Sequence, residues 1–536
     1  MIRNHLRWLT AGVLACNLTL MTPFSAFAGN DRNDRDSDDF RTNTPIKHVV
    51  VIFQENVSFD HYFGTYPDAE PNNDKSAFFS NPKPGTPAVN GLQGLINTNP
   101  NSAKPFRLDR SQALTCDMDH DYTPEQLAFD QGLMDKFPEN TSPANGCSSI
   151  PSLAPLKSGV VMGYYDGNTV TALWNYAQFF AMNDNSYGTT FGPSTPGALN
   201  LVSGQTGGAD LVNSKDDAFG DLEADVYMVP NSETGTVIGD ADPFYDDCSG
   251  NFDRTSVTGQ NIGDLLNARH ITWGWFQGGF TPTSVTSGIA TCGATTKRLD
   301  GVSVAAYSAH HNPFDYYAHS ANQHHLPPAN LEEVGRNGQA NHQYDLSFFF
   351  KAASAGRLPA VSFLKATRAQ DGHPSNSTPL DEQQFLVDTI NFLQSLDDWK
   401  ETAVFILWDD SDGWYDHQLG EIINGSSTKF DAFTAPGQCG NGAGALAGIQ
   451  ARCGYGPRLP FVVVSPFAKE NFVDRTLTDQ TSPIHFIEDN WDLGRIGGGS
   501  YDAISGSVLN LFDFSHRRHE RIFLDDITGR VVSIQK

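Results

Sequence analysis

The stretch Gln54-Glu55-Asn56-Val57-Ser58-Phe59-Asp60-His61-Tyr62-Phe63-Gly64 sets a carboxylate and an amide side by side directly after an apolar run. Adjacent oxygen donors of this kind suit a hard or borderline cation, and they also suit a solvated strand end that leads into a helix cap. Asp409-Asp410-Ser411-Asp412-Gly413-Trp414-Tyr415-Asp416-His417 repeats the arrangement with two successive carboxylates. Such neighbours repel unless something positive compensates, a task for a metal, or unless the turn is simply solvated. In Phe191-Gly192-Pro193-Ser194-Thr195-Pro196-Gly197-Ala198-Leu199-Asn200, Gly and Pro stiffen a turn that presents Ser194 before an apolar segment. That hydroxyl is either an ordinary turn residue or a nucleophile, and the second requires a metal or base that eases its deprotonation. His120, the pair His310 and His311, and His373 all lie in loops beside Pro, Asp or Asn. Each is a hydrogen-bonded loop residue or a catalyst; the looser pair His324 and His325 has no assigned role.

These groups need a scaffold that holds them at one place. Lys47 to Phe53 is a continuous β-branched apolar run, the pattern of a strand buried on both faces of a mostly parallel sheet. Thr402 to Trp408 and Pro460 to Val464 repeat it, and Ile271 to Trp275 and Ala360 to Leu364 are weaker candidates. Glu382 to Trp399 carries Leu386, Ile390 and Leu393 at helical spacing, which predicts an amphipathic helix against the sheet. Strand, helix, strand is the unit of a three-layer α/β architecture. In such sheets ligand groups collect at the carboxyl ends of strands, where Glu55, Asn56, Asp409 and Asp410 fall.

The chain of 536 residues opens with Arg3 and Arg7, an apolar stretch from Trp8 to Leu20 and small residues at Ala26-Phe27-Ala28. This predicts a signal peptide over 1–28 and a secreted or periplasmic protein without a permanent membrane anchor. Cys16 in Val-Leu-Ala-Cys offers a rival lipoprotein reading. A polar leader over 29–44 has little to bury and is expected to be disordered. Order should begin near Ile46, in one catalytic domain over 45–515 with Gly-rich surface insertions at 204–250 and 437–456 and a C-terminal extension over 516–536. The six remaining cysteines, Cys116, Cys147, Cys248, Cys292, Cys439 and Cys453, favour disulfides in an oxidising compartment. Pairing between sequence neighbours is expected, Cys439 with Cys453 above all. A formal net charge of −27 argues against nucleic acid as a partner and against a general basic membrane patch. A phosphorylated substrate would need local positive charge, for which a bound cation is the evident source.

The stretches ENVSFDHYFG, FGPSTPGALNL, SAHHNPF, DGHP, FILWDDSDGWYDH and PRLPFVVVSPFA resemble the bacterial acid phosphatase and phospholipase C family, also called the phosphoesterase family. The resemblance runs in order from about Ile46 to Phe514, and ENxSFDxxFG after an apolar strand is its most specific part. It implies an alkaline-phosphatase-like fold in which Glu55, Asn56, Asp409 and Asp410 hold one divalent metal. Ser194 would be a further ligand and the nucleophile, passing through a phosphoserine. His120, His310, His311 and His373 look like the family's catalytic and phosphate-contacting histidines, with Asn56 also a substrate contact. The donor set admits Ca²⁺, Mg²⁺, Mn²⁺ or Zn²⁺. The substrate is then a phosphorylated small molecule or a phospholipid such as phosphatidylcholine.

Departures from the family pattern shape the expectation. Ser194-Thr195-Pro196-Gly197 stands where many phospholipase C relatives carry threonine followed by Pro-Asn-Arg, and Asp479-Gln480-Thr481-Ser482 replaces a late Asp-His-Thr-Ser. Both changes lean toward the acid phosphatase branch. A sulfatase would need arginine at Ala198. A secreted calcium-binding protein without catalysis is the remaining alternative. Phenylalanines such as Phe179, Phe180 and Phe348 to Phe350 are expected in the core rather than at a lipid-binding rim.

Overall fold

The computed structural model describes residues 41–70, 82–211, 225–250, 253–441 and 449–536. The expected signal peptide, most of the polar leader, and parts of both expected insertions lie outside the described residues. An eight-stranded sheet forms the centre, made of β1 (His48–Gln54), β2 (Ala181–Asn183), β3 (Trp273–Gln277), β4 (Gln343–Asp345), β5 (Val361–Lys365), β6 (Thr402–Trp408), β7 (Phe461–Val464) and β8 (Phe472–Asp474). Its spatial order is β4-β3-β5-β1-β6-β7-β2-β8. Only β7 runs against the others: it pairs antiparallel with β6 through Ile406 and Val462 and with β2 through Val462 and Met182. The five strands from β4 to β6 are parallel, with Gln54 opposite Trp408 at the carboxyl edge.

Every residue of β1 and β6 is buried, so both faces of the sheet must be covered. Helix α2 (Pro379–Ser395) covers one of them, where Trp408 Nε1 donates to Glu382 Oε1 at 3.0 Å. Helix α3 (Ser482–Trp491) covers the other, where Phe405 meets Phe486 edge-on at 5.5 Å between ring centroids. Phe405 and Trp408 differ by an odd number of residues and therefore point to opposite faces. The result is the three-layer α/β architecture that the resemblance implied. Helix α2 starts three residues earlier than its apolar spacing suggests, because Thr378 caps the amides of Leu380 and Asp381 and Pro379 occupies the first turn.

Glu382 illustrates how the layers are held. It is fully buried and accepts from Tyr62 Oη at 2.8 Å as well as from Trp408, and burial pushes its carboxyl up to about 8. The folded chain thus keeps a proton that the unfolded chain releases above its ordinary value of about 4.5. Between those two values the native state binds more protons, and this group's contribution to stability falls by up to about 1.4 kcal/mol per pH unit as pH rises. Chemical denaturation from pH 4.5 to 8 is expected to show that decline, and Glu382→Gln is expected to make it shallower. An unchanged slope in the variant would assign the decline to other groups.

The stretch 204–250, expected as a Gly-rich surface insertion, contains regular structure. Within its described residues it supplies Gly207–Leu211, Val226–Met228, Gly235–Val237 and Asp242–Pro243, which join Arg254–Val257 in a second, five-stranded sheet. Ala209, Val226, Val237 and Val257 pack there against Leu199, Tyr316 and Tyr317. Strands of two to five residues are too short for alternation to register as a pattern. At the amino end of the described residues, Asn43 and Thr44 bond Asn490. The C-terminal extension folds as a hairpin of Arg521–Leu524 and Val531–Gln535, docked on α2 where Gln394 and Asn391 bond the backbone of Ile522 and Leu524. Disulfides join Cys116 to Cys147, Cys248 to Cys292 and Cys439 to Cys453, all sequence neighbours as expected. Of the phenylalanines expected in the core, Phe180 and Phe349 are buried there, whereas Phe179, Phe348 and Phe350 are only partly buried against it. Among the described residues no helix is long and apolar enough to cross a membrane.

Candidate active site

β5, β1 and β6 lie side by side, so their carboxyl ends deliver Lys365, Glu55-Asn56 and Asp409-Asp410 to one place. Asn56 turns sharply out of β1 with φ of 58°, a left-handed conformation that asparagine tolerates better than most residues. Its backbone amide donates to Asp409 Oδ1 at 3.0 Å, and its side-chain nitrogen donates to Asp412 Oδ1 at 3.1 Å.

Ser194 arrives from another direction, at the first turn of α1 (Ser194–Ser203), a helix buried along its whole length. Gly192, with φ of 116°, makes the turn into it. Gly197 lets the helix start press on the β6 loop, since a Cβ there would lie 2.2 Å from the Asp409 carbonyl oxygen. Ser194 Oγ consequently sits 2.9 Å from Asp410 Oδ2, 3.2 Å from Glu55 Oε2 and 3.4 Å from Asn56 Oδ1. A hydroxyl has one proton to donate, so it can satisfy only one of these three oxygens. The others are oxygen-to-oxygen contacts that a cation would reconcile.

Charge tells the same story. Burial, then the charge of Glu55, pushes Asp409 up to about 8, and burial, then Asp409, pushes Asp410 up to about 7. Glu55 is likewise raised by burial, against the opposing pull of Lys365. Lys365 is buried, contacts Glu55 Oε1 closely and lies 3.4 Å from Asp409 Oδ2. The Lys365 ammonium faces Glu55 and Asp409, while Asp410 has only the His120 ring to answer it. A set of three carboxylates, an amide oxygen and a hydroxyl, short of positive charge, fits a divalent cation.

The four histidines surround this centre. His120 Nε2 lies 3.4 Å from Asn56 Nδ2, and its Nδ1 is 2.9 Å from the Met118 carbonyl oxygen. Burial opposes its charge, but Asp410, Asp412, Asp117 and Asp240 outweigh that and raise it well above an ordinary imidazole. His310 follows the same logic: burial opposes charge, Asp242 at 3.4 Å favours it, and the ring is pushed up to about 9. His311 differs. Burial, then His310 and Lys365, hold it well below the usual range, and its Nδ1 lies 3.1 Å from Glu55 Oε1. His373 completes the ring, with its centroid 6.5 Å from that of His120. All nine residues singled out in the sequence thus fall around one point.

Several neighbours escaped the sequence reading. Lys365 ends a weak strand candidate that stopped one residue short of it. Glu125 accepts from Ser411 Oγ at 2.6 Å and from the Gly192 amide at 3.1 Å, which ties the Ser194 turn to the β6 loop. Gln480 donates to the backbone carbonyls of Trp408 and Asp409. It braces the loop through its amide. Asp242 belongs to the second sheet, so its approach to His310 could be foreseen from no local pattern.

Lys365→Met is expected to destabilise the cation-free protein by about 3 kcal/mol at pH 8, because breaking a buried pair strands its carboxylates. The loss should be smaller at pH 5, where Asp409 holds a proton. Urea unfolding in chelator at both pH values checks this; equal losses would contradict the charge account.

The scaffold and the cluster define a class of protein: a three-layer α/β chain with a helix-borne serine among oxygen donors at the carboxyl edge of its sheet. Comparison with known families matches residues 46–494 to the Phosphoesterase family, and the chain belongs to that family. Among individual proteins it is 23% identical over 490 residues to the non-hemolytic phospholipase C of Pseudomonas aeruginosa, covering 89% of this chain and 58% of that one. It is 24% identical over 505 residues to the non-hemolytic phospholipase C of Burkholderia pseudomallei, covering 89% and 60%. It is 22% identical over 488 residues to phospholipase C A of Mycobacterium tuberculosis, covering 88% and 78%. The chain therefore spans about three-fifths of the length of the first two relatives.

Proposed function

We propose that this protein is a secreted, metal-dependent phosphoric ester hydrolase that works through a phosphoserine at Ser194. The observation that carries the reading is the convergence of Glu55, Asn56 and Asp410 oxygens on the single proton of Ser194. Glu55, Asn56, Asp409, Asp410 and Ser194 would hold one divalent ion, which when bound eases loss of the serine proton and withdraws charge from phosphoryl oxygens. Ser194 Oγ attacks phosphorus, and its proton meets Asp410 Oδ2 as the nearest acceptor. The start of α1 adds the positive end of a helix dipole beneath the developing anion. Asn56 Nδ2 and the charged rings of His120 and His310 offer donors to the phosphoryl oxygens. His120, kept charged because Asp410 and Asp412 outweigh its burial, gives its proton to the leaving alkoxide, with His373 beside it. Water then attacks the phosphoserine and gives up a proton to His120, while Asp410 returns its proton to the departing Ser194 oxygen and the phosphate product leaves. His311, held neutral beside Glu55, orients that carboxylate.

The three disulfides and the amino-terminal pattern support an oxidising, extracytoplasmic location. Phosphomonoesters are favoured by the Ser194-Thr195-Pro196-Gly197 turn and by Gln480. The names of the relatives favour a second reading, cleavage of phosphatidylcholine-type lipids. Parallel assays with p-nitrophenyl phosphate and phosphatidylcholine decide between them. Inactivity on both, with the cation supplied, would remove the hydrolase reading.

A further inference from the structure

Beyond Thr402, at the opposite edge of the sheet from Ser194, lies a cavity of about 300 Å³ whose lining includes Asp397, Trp399, Lys400, Arg517, His519 and Arg521. β6 runs seven residues from this edge to Asp409, so the cavity is roughly 20 Å from the serine. Its charge is the reverse of the molecule's. The chain has 62 acidic residues against 35 basic ones, yet here Lys400, Arg517, Arg518 and Arg521 converge with Asp397 as the one acidic residue in the lining.

The partners of these cations are unequal. Arg518 is answered by Glu520 at 3.6 Å and Glu470 at 3.9 Å, and it also donates to the Phe179 carbonyl. Arg521 Nη1 donates to the Gln394 carbonyl at 2.7 Å, which fixes the guanidinium without neutralising it. Among the described residues, Lys400, Arg517, His519 and Arg521 have no carboxylate at ion-pair distance. Buried Trp399 contributes an apolar wall. Unpaired cations around a concavity repel one another, and an anion entering it relieves that repulsion. Guanidinium groups match the geometry of tetrahedral oxyanions and bind them through paired hydrogen bonds. The volume lies at the lower end for ligand pockets and suits a phosphate group with a small substituent.

We propose that this cavity is a second anion site, one that takes a phosphate-type oxyanion, either free or carried on a lipid headgroup. It stands whether or not Ser194 cleaves phosphate esters, because none of its residues touches that centre. Lys400 and Arg517 are exposed and their side chains make no hydrogen bond among the described residues, so Lys400→Gln with Arg517→Gln should leave the fold and the hydrolysis of p-nitrophenyl phosphate unchanged. Calorimetric titration of wild type and double variant with inorganic phosphate forms one arm of the test. Sedimentation with vesicles of equal parts phosphatidylcholine and phosphatidic acid, against phosphatidylcholine alone, forms the other. Binding at the active centre is common to both proteins, so the difference between them reports the cavity. The double variant is expected to bind at least about tenfold more weakly in one arm. A loss in the calorimetric arm identifies a free anion, and a loss confined to phosphatidic acid vesicles identifies a headgroup. Equal binding by both proteins in both arms would overturn the proposal.

Discussion

Ser194→Ala is expected to lower kcat by about 10³-fold or more while leaving the melting temperature within a few degrees of wild type. The hydroxyl is the proposed nucleophile, and it is buried among the carboxylate oxygens that would help to hold the cation. Alanine fits the same space, and Gly197 still seats the helix start against Asp409. Acid-quenched wild-type protein, caught during turnover, should carry phosphate on the peptide containing Ser194, and the variant should carry none. A variant that keeps even a tenth of wild-type kcat would move the nucleophile elsewhere.

Removing the cation should have an effect of similar size. Dialysis against chelator is expected to cut activity by about 10²-fold or more, with recovery on adding a divalent ion. Stability should respond too, and the direction with pH follows from the carboxylates. Stripped protein holds Asp410 and Asp409 with affinities for protons pushed up to about 7 and about 8. Their contribution to its stability is fully present below the ordinary carboxylate value near 3.8 and is lost as pH rises through 7 and 8. A bound cation replaces those protons. The gap in stability between loaded and stripped protein should therefore be small at pH 5 and widen toward pH 8, where it reaches about 4 kcal/mol at a thousandfold excess of ion over its dissociation constant. A gap that stays constant across this range would mean that the ion binds away from these carboxylates.

The parts of this architecture that could be read from the chain are those with a strong local pattern. His48–Gln54 and Thr402–Trp408 are buried on both faces, so their apolar runs are continuous and their ends are marked by the polar residues that follow. Once those two strands are neighbours, Glu55, Asn56, Asp409 and Asp410 share an edge of the sheet. Pairing of Cys439 with Cys453 was legible because they are only 14 residues apart, whereas Cys248 and Cys292 lie on either side of β3 and are brought together by the fold. Lys365 was not legible: its strand is short, and nothing local distinguishes a buried lysine at a strand end from a solvated one. Asp242 and Glu125 reach the centre from elements whose placement depends on long-range packing. The reversed direction of β7 left no trace in Phe461–Val464, since a fully buried strand reads the same either way. The second sheet was hidden by the brevity of its strands.

The account turns on a shared cation at the carboxyl edge, and anomalous diffraction from crystals grown with Mn²⁺ tests it most directly. It predicts a single strong peak with oxygens of Glu55, Asn56, Ser194, Asp409 and Asp410 within about 2.0–2.6 Å. No peak among those residues, or a peak held by other side chains with Ser194 out of reach, would contradict it.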